Sequence, residues 1–163
     1  AALTDKLTVE WTPPSDGPER PCVRVLRADG TDTGIAFHGV PGGHEFNSFV
    51  VGLYNAAGPG QSIDPALAEA IAAIDRPLDL QIVVALSCTM CPELVIAAQK
   101  IAASNPLVTA KVYDVNHFPE LRERYKIMSV PCLIINKAKV AFGKKTLGQL
   151  LELLAEPEAG QTG

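Results

Sequence analysis

The feature that most limits the possible folds of this chain is a strand pattern that runs directly into a helix pattern. Residues 80–87 read LQIVVALS, a near-continuous apolar run that suits a β-strand buried on both faces. Residues 92–103 read PELVIAAQKIAA, which predicts a helix, and a proline is tolerated in its first turn because the missing N–H costs little there. A strand covered on both faces requires helices on the sheet, so the pattern predicts an α/β fold.

Two cysteines, Cys88 and Cys91, lie at the junction between this strand and this helix. Cys91 follows Cys88 by about one helical turn, so their sulfurs can reach disulfide distance. The helix N-terminus carries a partial positive charge, which stabilises a thiolate at Cys88. Such a thiolate can attack a disulfide in another molecule, and Cys91 can then resolve the mixed disulfide.

Two other interpretations of the cysteine pair stay open at this point. A zinc site needs two more ligands at similar spacing. The other two cysteines, Cys22 and Cys132, are far from each other in sequence. The histidines His38, His44 and His117 also supply no second pair of closely spaced ligands. Two inert thiols are the other alternative, because free cysteines are often simply buried. We expect no bound metal.

The patterns in the rest of the chain predict which helices and strands precede and follow the cysteine pair. From residue 63 onward the patterns predict helix, strand, helix, strand, helix, strand, strand and helix. Three strands and a helix are predicted before that point, at residues 7–11, 22–26, 34–40 and 43–58, with a proline-rich loop at 11–21. We therefore divide the chain into a first unit at 1–62, a second unit at 63–156 and a linker-like tail at 157–163.

A second motif, SVPCLIIN at residues 129–136, favours redox chemistry at the pair. A Val-Pro step directly before an apolar strand, following strand-helix-strand-helix, is the thioredoxin pattern. In that fold the proline is cis and faces the disulfide, so we expect a cis Val130–Pro131 bond whose peptide edge can hydrogen-bond an incoming extended chain. The alternative is that Pro131 merely starts a strand. Four residues within the two motifs are expected to contact a partner: Thr89, Met90, Ser129 and Val130.

Three segments together resemble the N-terminal domain of the F subunit of alkyl hydroperoxide reductase. They read ALSCTMCP, NPLVTAKVYD and VPCLIIN, and upstream IAFHGVPGGHEFNSFVVGL is similar to a stretch in that family with a Gly-His-Glu-Phe motif. The resemblance extends from about Leu3 to Ala155. It implies two tandem thioredoxin-like units fused into one body. The first unit has no CxxC and is incomplete here, because the family's first strand and helix are missing from this chain.

The resemblance also implies a function. The family domain is a dithiol–disulfide oxidoreductase that relays electrons from a flavin- and NAD(P)H-dependent reductase core to a peroxiredoxin, which destroys peroxides. Cys88 would be the exchanging nucleophile, Cys91 the resolving thiol, and Glu45 an acid near the disulfide, with Pro131 facing it. Thioredoxins usually carry that acid six residues before the first cysteine, where this chain has Ile82. The alternative for Glu45 is a solvent-facing carboxylate favoured by the helix dipole.

Composition and missing motifs narrow the partners and cofactors. No GxGxxG fingerprint follows a strand, so FAD and NAD(P)H are expected only on a partner reductase domain. The net charge of −4 and the lack of a Lys/Arg stripe argue against nucleic acid and anionic membrane. With no apolar span and no secretory signal in view, we expect a cytoplasmic protein. Two alternatives to the relay are a general thioredoxin- or glutaredoxin-type disulfide reductase and a non-catalytic docking module.

Overall fold

The computed structural model describes residues 6–13 and 17–157 of the 163-residue chain. The strands are β1 (Cys22–Leu26), β2 (Asp32–His38), β3 (Leu78–Val84), β4 (Val108–Asp114), β5 (Cys132–Ile135) and β6 (Lys139–Phe142). The helices are α1 (Glu45–Ala57), α2 (Pro65–Ala72), α3 (Cys91–Ser104), α4 (Glu120–Arg124) and α5 (Leu147–Ala155).

All of these strands belong to one sheet in the order β1-β2-β4-β3-β5-β6. β4 runs parallel to both β2 and β3, whereas the β1–β2, β3–β5 and β5–β6 pairs are antiparallel. From residue 63 onward the order of helices and strands is the predicted one. The mixed α/β, thioredoxin-like fold expected from the sequence is therefore confirmed.

Strand β3 is buried on both faces, as its apolar run predicts. Leu80, Ile82 and Val84 pack into the larger apolar cluster, on the side of the sheet that α3 covers. Val83 points to the opposite side, where it joins a smaller cluster with Leu121 of α4. Each fully buried aliphatic side chain of this size stabilises the fold by about 1.5–3 kcal/mol. This burial fixes β3 in the sheet and thereby fixes the position where the chain leaves it.

The first part of the chain extends the sheet of the second part. β1 and β2 form a hairpin, and β2 lies beside β4 with its register running from Ile35–Ala110 to His38–Tyr113. The predicted boundary between residues 62 and 63 falls in the extended connection between α1 and α2. The division of the chain into two units stays a prediction.

The strand predicted at residues 7–11 is wrong. In the described part of the chain this segment has no regular structure, and its apolar side chains are exposed, with Trp11 at 93%. Alternation of apolar and polar residues makes a strand only where a neighbouring strand supplies hydrogen bonds and a surface to cover. In the described residues, the first part therefore contributes two strands rather than the predicted three. The predicted tail lies outside the described residues except for Pro157.

The ends of α2 and α5 follow from local sequence. Asp64 caps α2, and its carboxylate accepts a hydrogen bond of 2.9 Å from the main-chain N–H of Ala66. Pro65 is the first helical residue, where its missing N–H leaves no helix bond unmade. Thr146 and Gln149 form a reciprocal capping box at the start of α5. None of the helices in the described ranges is long and apolar enough to cross a membrane.

Candidate active site

Cys88 and Cys91 form a disulfide where the chain passes from β3 to α3. The chain turns after Val84, with the main-chain N–H of Cys88 donating to the carbonyl oxygen of Ala85 at 2.9 Å. Cys91 is the first residue of α3, and the Cα atoms of the two cysteines are 5.6 Å apart. The sequence-predicted pair is thus brought together at the predicted junction.

The two sulfur-bearing residues differ in exposure. Cys91 is fully buried within the larger apolar cluster, whereas Cys88 is only half-buried. Thr89 and Met90, between them, are exposed, Met90 at 54%. A molecule that approaches this disulfide from solvent therefore reaches Cys88 before it reaches Cys91.

The segment before β5 lies against the disulfide. The Val130–Pro131 peptide bond is cis, as predicted, and the carbonyl oxygen of Val130 lies 3.9 Å from Sγ of Cys88. Pro131 is buried, Val130 is half-buried and Ser129 is exposed. Met128, two residues before Val130, was not among the predicted partner contacts, yet its side chain is 87% exposed. An apolar residue so close to the Val-Pro step was the sequence signal that could have suggested it.

The Gly-Gly-His-Glu-Phe segment packs against the same end of the sheet. The main-chain N–H of His44 donates to the carbonyl oxygen of Leu86 at 2.9 Å, two residues before Cys88. Gly43 adopts φ +53°, and a Cβ there would lie 2.5 Å from that same oxygen. Only glycine fits both the backbone conformation and the space. The contact places the start of α1 beside the turn that leads to the disulfide.

Glu45, the first residue of α1, is fully buried, so the solvent-facing alternative is wrong. The Ser48 hydroxyl is hydrogen-bonded to Oε2 of the carboxyl group, while Oε1 has no partner in the part of the chain described. Burial raises the pKa of the Glu45 carboxyl above its ordinary value, and the hydrogen bond with Ser48 opposes that rise. Its role in catalysis stays a prediction.

The packing of α1 on α3 places the starts of these two helices at the same end of the sheet. Further along them a Cβ added to Gly52 would collide with the side-chain amide of Gln99. Glu45 precedes Gly52 by seven residues and Cys91 precedes Gln99 by eight, which is about two helical turns in each case. Glu45 and Cys91 are therefore buried first residues of two neighbouring helices.

Ser48 is the second residue that sequence reasoning missed. It lies three residues after Glu45, which puts both on one face of α1, and it is fully buried. That spacing was the signal that could have found it.

The two remaining cysteines lie elsewhere. Cys132 is buried in the smaller cluster, on the side of the sheet opposite Cys91, and burial raises the pKa of its thiol to about 11. Sγ of Cys22 lies 3.9 Å from Nε2 of His38. Burial raises the pKa of the Cys22 thiol. Within residues 6–13 and 17–157, no three His, Cys, Asp or Glu side chains are grouped so that they could hold a metal ion.

Comparisons with known proteins agree with this geometry. A family model described as "Thioredoxin domain" matches residues 78–155. The F subunit of alkyl hydroperoxide reductase from Pseudomonas aeruginosa is 34% identical over 158 residues, covering 97% of this chain and 29% of that protein. A Bacillus subtilis protein named NADH dehydrogenase is 29% identical over 151 residues, covering 93% of this chain and 29% of its own length. The chain thus spans less than a third of these curated relatives.

Two solved structures resemble the fold. The F subunit of alkyl hydroperoxide reductase from Enterococcus faecalis has a TM-score of 0.81 at 43% identity, covering 84% of this chain and 65% of the compared one. A protein disulfide oxidoreductase from Aeropyrum pernix has a TM-score of 0.72 at 23% identity, covering 83% and 58%. The second likeness concerns the fold alone.

Proposed function

Because this chain belongs to the family of thioredoxin-fold domains at the N-terminus of the F subunit of alkyl hydroperoxide reductase, we propose that it is a dithiol–disulfide oxidoreductase that relays electrons to a peroxiredoxin. The observation that supports this most directly is the unequal exposure of the Cys88–Cys91 disulfide. A half-buried first cysteine beside a fully buried second one suits exchange with another protein, because one sulfur meets the partner and the other completes the reaction.

The proposed reaction passes two electrons. In the reduced chain the Cys88 thiolate, favoured by the N-terminus of α3, attacks one sulfur of the partner's disulfide and releases the other as a thiolate. A mixed disulfide then joins Cys88 to the partner. Cys91 loses its proton and attacks Sγ of Cys88, so the Cys88–Cys91 bond forms and the bond to the partner breaks. The partner leaves as a dithiol after its thiolates take up protons, and this chain is left oxidised.

Glu45 is the proposed acceptor of the proton that Cys91 loses. A buried thiol has no access to water, so its proton needs a nearby group of suitable pKa. Ile82 is apolar and fully buried in the cluster that contains Cys91, so it offers no such group. Glu45 is the buried first residue of α1, which packs on α3, and burial raises the pKa of its carboxyl, which favours its taking up a proton.

The electron donor in this proposal is a flavin- and NAD(P)H-dependent reductase core. The names of two relatives, an alkyl hydroperoxide reductase subunit and an NADH dehydrogenase, are consistent with it, and both proteins extend far beyond the part that matches this chain. FAD and NAD(P)H would be bound by that core. A cytoplasmic location belongs to the same proposal.

A general protein disulfide reductase is the second candidate, and one observation favours it. Met90, between the two cysteines, and Met128, two residues before Val130, both expose flexible apolar side chains. Methionine surfaces adapt to partners of different shape. A non-catalytic docking module is the third possibility, and loss of exchange on substitution of Cys88 would exclude it.

The deciding experiment compares reductants and acceptors. The oxidised chain is offered to the flavoprotein core of a related alkyl hydroperoxide reductase and, separately, to thioredoxin reductase, and the rates of disulfide reduction are measured. The reduced chain is then offered to an oxidised peroxiredoxin and to insulin. Faster reaction with the flavoprotein core and with the peroxiredoxin supports the relay. Preference for thioredoxin reductase and insulin would replace it with the general reductase.

A further inference from the structure

The side chain of Ser48 makes two contacts with one residue. Its Oγ is hydrogen-bonded to Oε2 of Glu45 and lies 3.0 Å from the main-chain carbonyl oxygen of the same residue. Both Ser48 and Glu45 are fully buried. A hydroxyl carries one proton, so it donates to only one of these two oxygens at a time.

This arrangement suits both protonation states of the carboxyl. When Glu45 is ionised, the Ser48 hydroxyl donates to Oε2 and stabilises the negative charge. When Glu45 is protonated on Oε1, Oε2 is the carbonyl oxygen of the acid and still accepts from the Ser48 hydroxyl. In either state Oε2 stays bonded to Ser48, while Oε1 has no hydrogen-bond partner within the described residues.

We propose that Ser48 is a positioning residue, which holds Glu45 through Oε2 and leaves Oε1 as the atom that exchanges a proton with Cys91. This inference rests on the proposed relay. Buried polar atoms are nearly always hydrogen-bonded, so one without a partner needs an explanation, and a catalytic role is one. Oε1 is such an atom, and the neighbouring helix α3 begins with the fully buried Cys91.

The proton step balances with the exchange reaction. As Cys91 attacks Sγ of Cys88, its proton passes to Oε1 of the ionised Glu45, the new S–S bond forms, and the bond between Cys88 and the partner breaks. In the reverse direction the protonated carboxyl returns the proton to the leaving thiolate of Cys91. Ser48 keeps its hydroxyl on Oε2 throughout, so the proton arrives at and leaves from Oε1.

Few groups shift the pKa of the Glu45 carboxyl, so the effect of changing Ser48 can be measured without competing contributions. Burial and the bond with Ser48 are the two that shift its pKa, and no charged side chain among the described residues contributes. The titratable group at the start of α3 is Cys91, and β2 faces α1 with the apolar Phe37, in edge contact with Phe49. In the oxidised chain Cys91 does not titrate, so the carboxyl can be followed by itself.

The experiment uses Ser48→Ala, which keeps the helix because alanine favours it. Thr33→Val is the matched control, since it deletes another buried hydroxyl, one that bonds the carbonyl oxygen of Val25 on the hairpin. Ser48→Thr keeps the hydroxyl and serves as the rescue. Carboxyl 13C NMR of the oxidised full chain gives the Glu45 titration midpoint, and stopped-flow exchange with a small disulfide gives the pH–rate profile.

In Ser48→Ala we expect the midpoint to rise by about one pH unit, because the ionised form loses a donor, and the rate profile to move the same way. Thr33→Val and Ser48→Thr should stay near the wild-type values. An unmoved midpoint, or a moved midpoint with an unmoved rate profile, would overturn the inference. Either result leaves the relay itself intact if the wild-type chain still reduces the peroxiredoxin, so the two failures are distinguishable.

Discussion

The main-chain N–H of His44 donates to the carbonyl oxygen of Leu86 at 2.9 Å, and this bond joins the first part of the chain to the turn before the disulfide. Leu86 lies two residues before Cys88, and His44 directly precedes Glu45. One backbone contact therefore sets the position of the buried carboxyl relative to the cysteine pair. Disturbing it should alter exchange without touching either cysteine.

Gly43→Ala is expected to slow disulfide exchange and to destabilise the fold. The residue has φ +53°, which costs a residue with a Cβ about 1–2 kcal/mol, and the added Cβ would lie 2.5 Å from the carbonyl oxygen of Leu86. The oxygen is part of the backbone, so the segment has to move away from the turn. Urea unfolding and exchange rates with a small disulfide measure the two effects.

The control for that substitution is Gly30→Ala. Gly30 also has a positive φ, +85°, but nothing lies within 4 Å of the added Cβ. It should show the conformational cost with no change in exchange rate. Equal effects of the two substitutions on exchange would refute a role for the contact with Leu86.

The two cysteines should differ on substitution. Cys88→Ser is expected to abolish exchange, because the accessible nucleophile is gone. Cys91→Ser should instead accumulate a mixed disulfide with the partner, because nothing resolves it. Mass spectrometry under non-reducing conditions identifies the adduct, and Cys22→Ser is the control that should behave as wild type. Full exchange activity in Cys88→Ser would rule out the relay.

Much of the fold could be predicted because its signals are local. The apolar run of β3, the proline in the first turn of α3 and the Val130–Pro131 step are each recognisable from a few neighbouring residues. The exception among local patterns is residues 7–11, whose alternation predicted a strand that lacks a pairing partner in the described structure.

The candidate site could be predicted only in part, because half of it depends on distant packing. Cys88 and Cys91 are neighbours in sequence, so their pairing was accessible. Glu45 was suggested only by family resemblance, and its burial depends on α1 packing against α3, over forty residues away in sequence. Ser48 was missed for the same reason, since a serine in a helix is ordinarily unremarkable until its burial and its partner are known.

Glu45→Gln should change how stability depends on pH. A carboxyl whose pKa is higher in the folded state binds its proton more tightly there, so its contribution is fully present below the unfolded pKa of about 4.3 and is lost as pH rises through the folded pKa. The oxidised wild type should therefore lose stability across that range, and Glu45→Gln should lose less. Urea unfolding from pH 4 to pH 8 measures it. If the unfolding free energies of the two proteins changed in parallel with pH, the Glu45 carboxyl would have the same pKa in the folded and the unfolded chain.

Gly52→Ala tests the register of α1 on α3. The added Cβ would collide with the amide of Gln99, which is fully buried and has little room to move, so we expect a loss of about 1–3 kcal/mol. Adding Gln99→Ala should recover part of that loss by making space. Gly148→Ala in α5 is the control, because its nearest neighbour is an uncrowded 3.8 Å away and helix propensity favours alanine. A double variant no more stable than Gly52→Ala would contradict this packing.

The reduced chain should show three classes of thiol reactivity. Cys88 should react first with iodoacetamide at neutral pH, because it is half-buried beside a helix N-terminus that favours the thiolate. Burial raises the pKa of Cys132 to about 11, so at pH 7 it has almost no thiolate and no access to reagent. Cys22 should fall between the two, since burial raises its pKa but leaves it partly exposed. Time-resolved labelling followed by peptide mass spectrometry gives the order. If Cys132 in the folded chain were labelled nearly as fast as Cys88, its buried position on the far side of the sheet would be contradicted. Labelling in urea is the control, because unfolding should make all of the labelling rates equal.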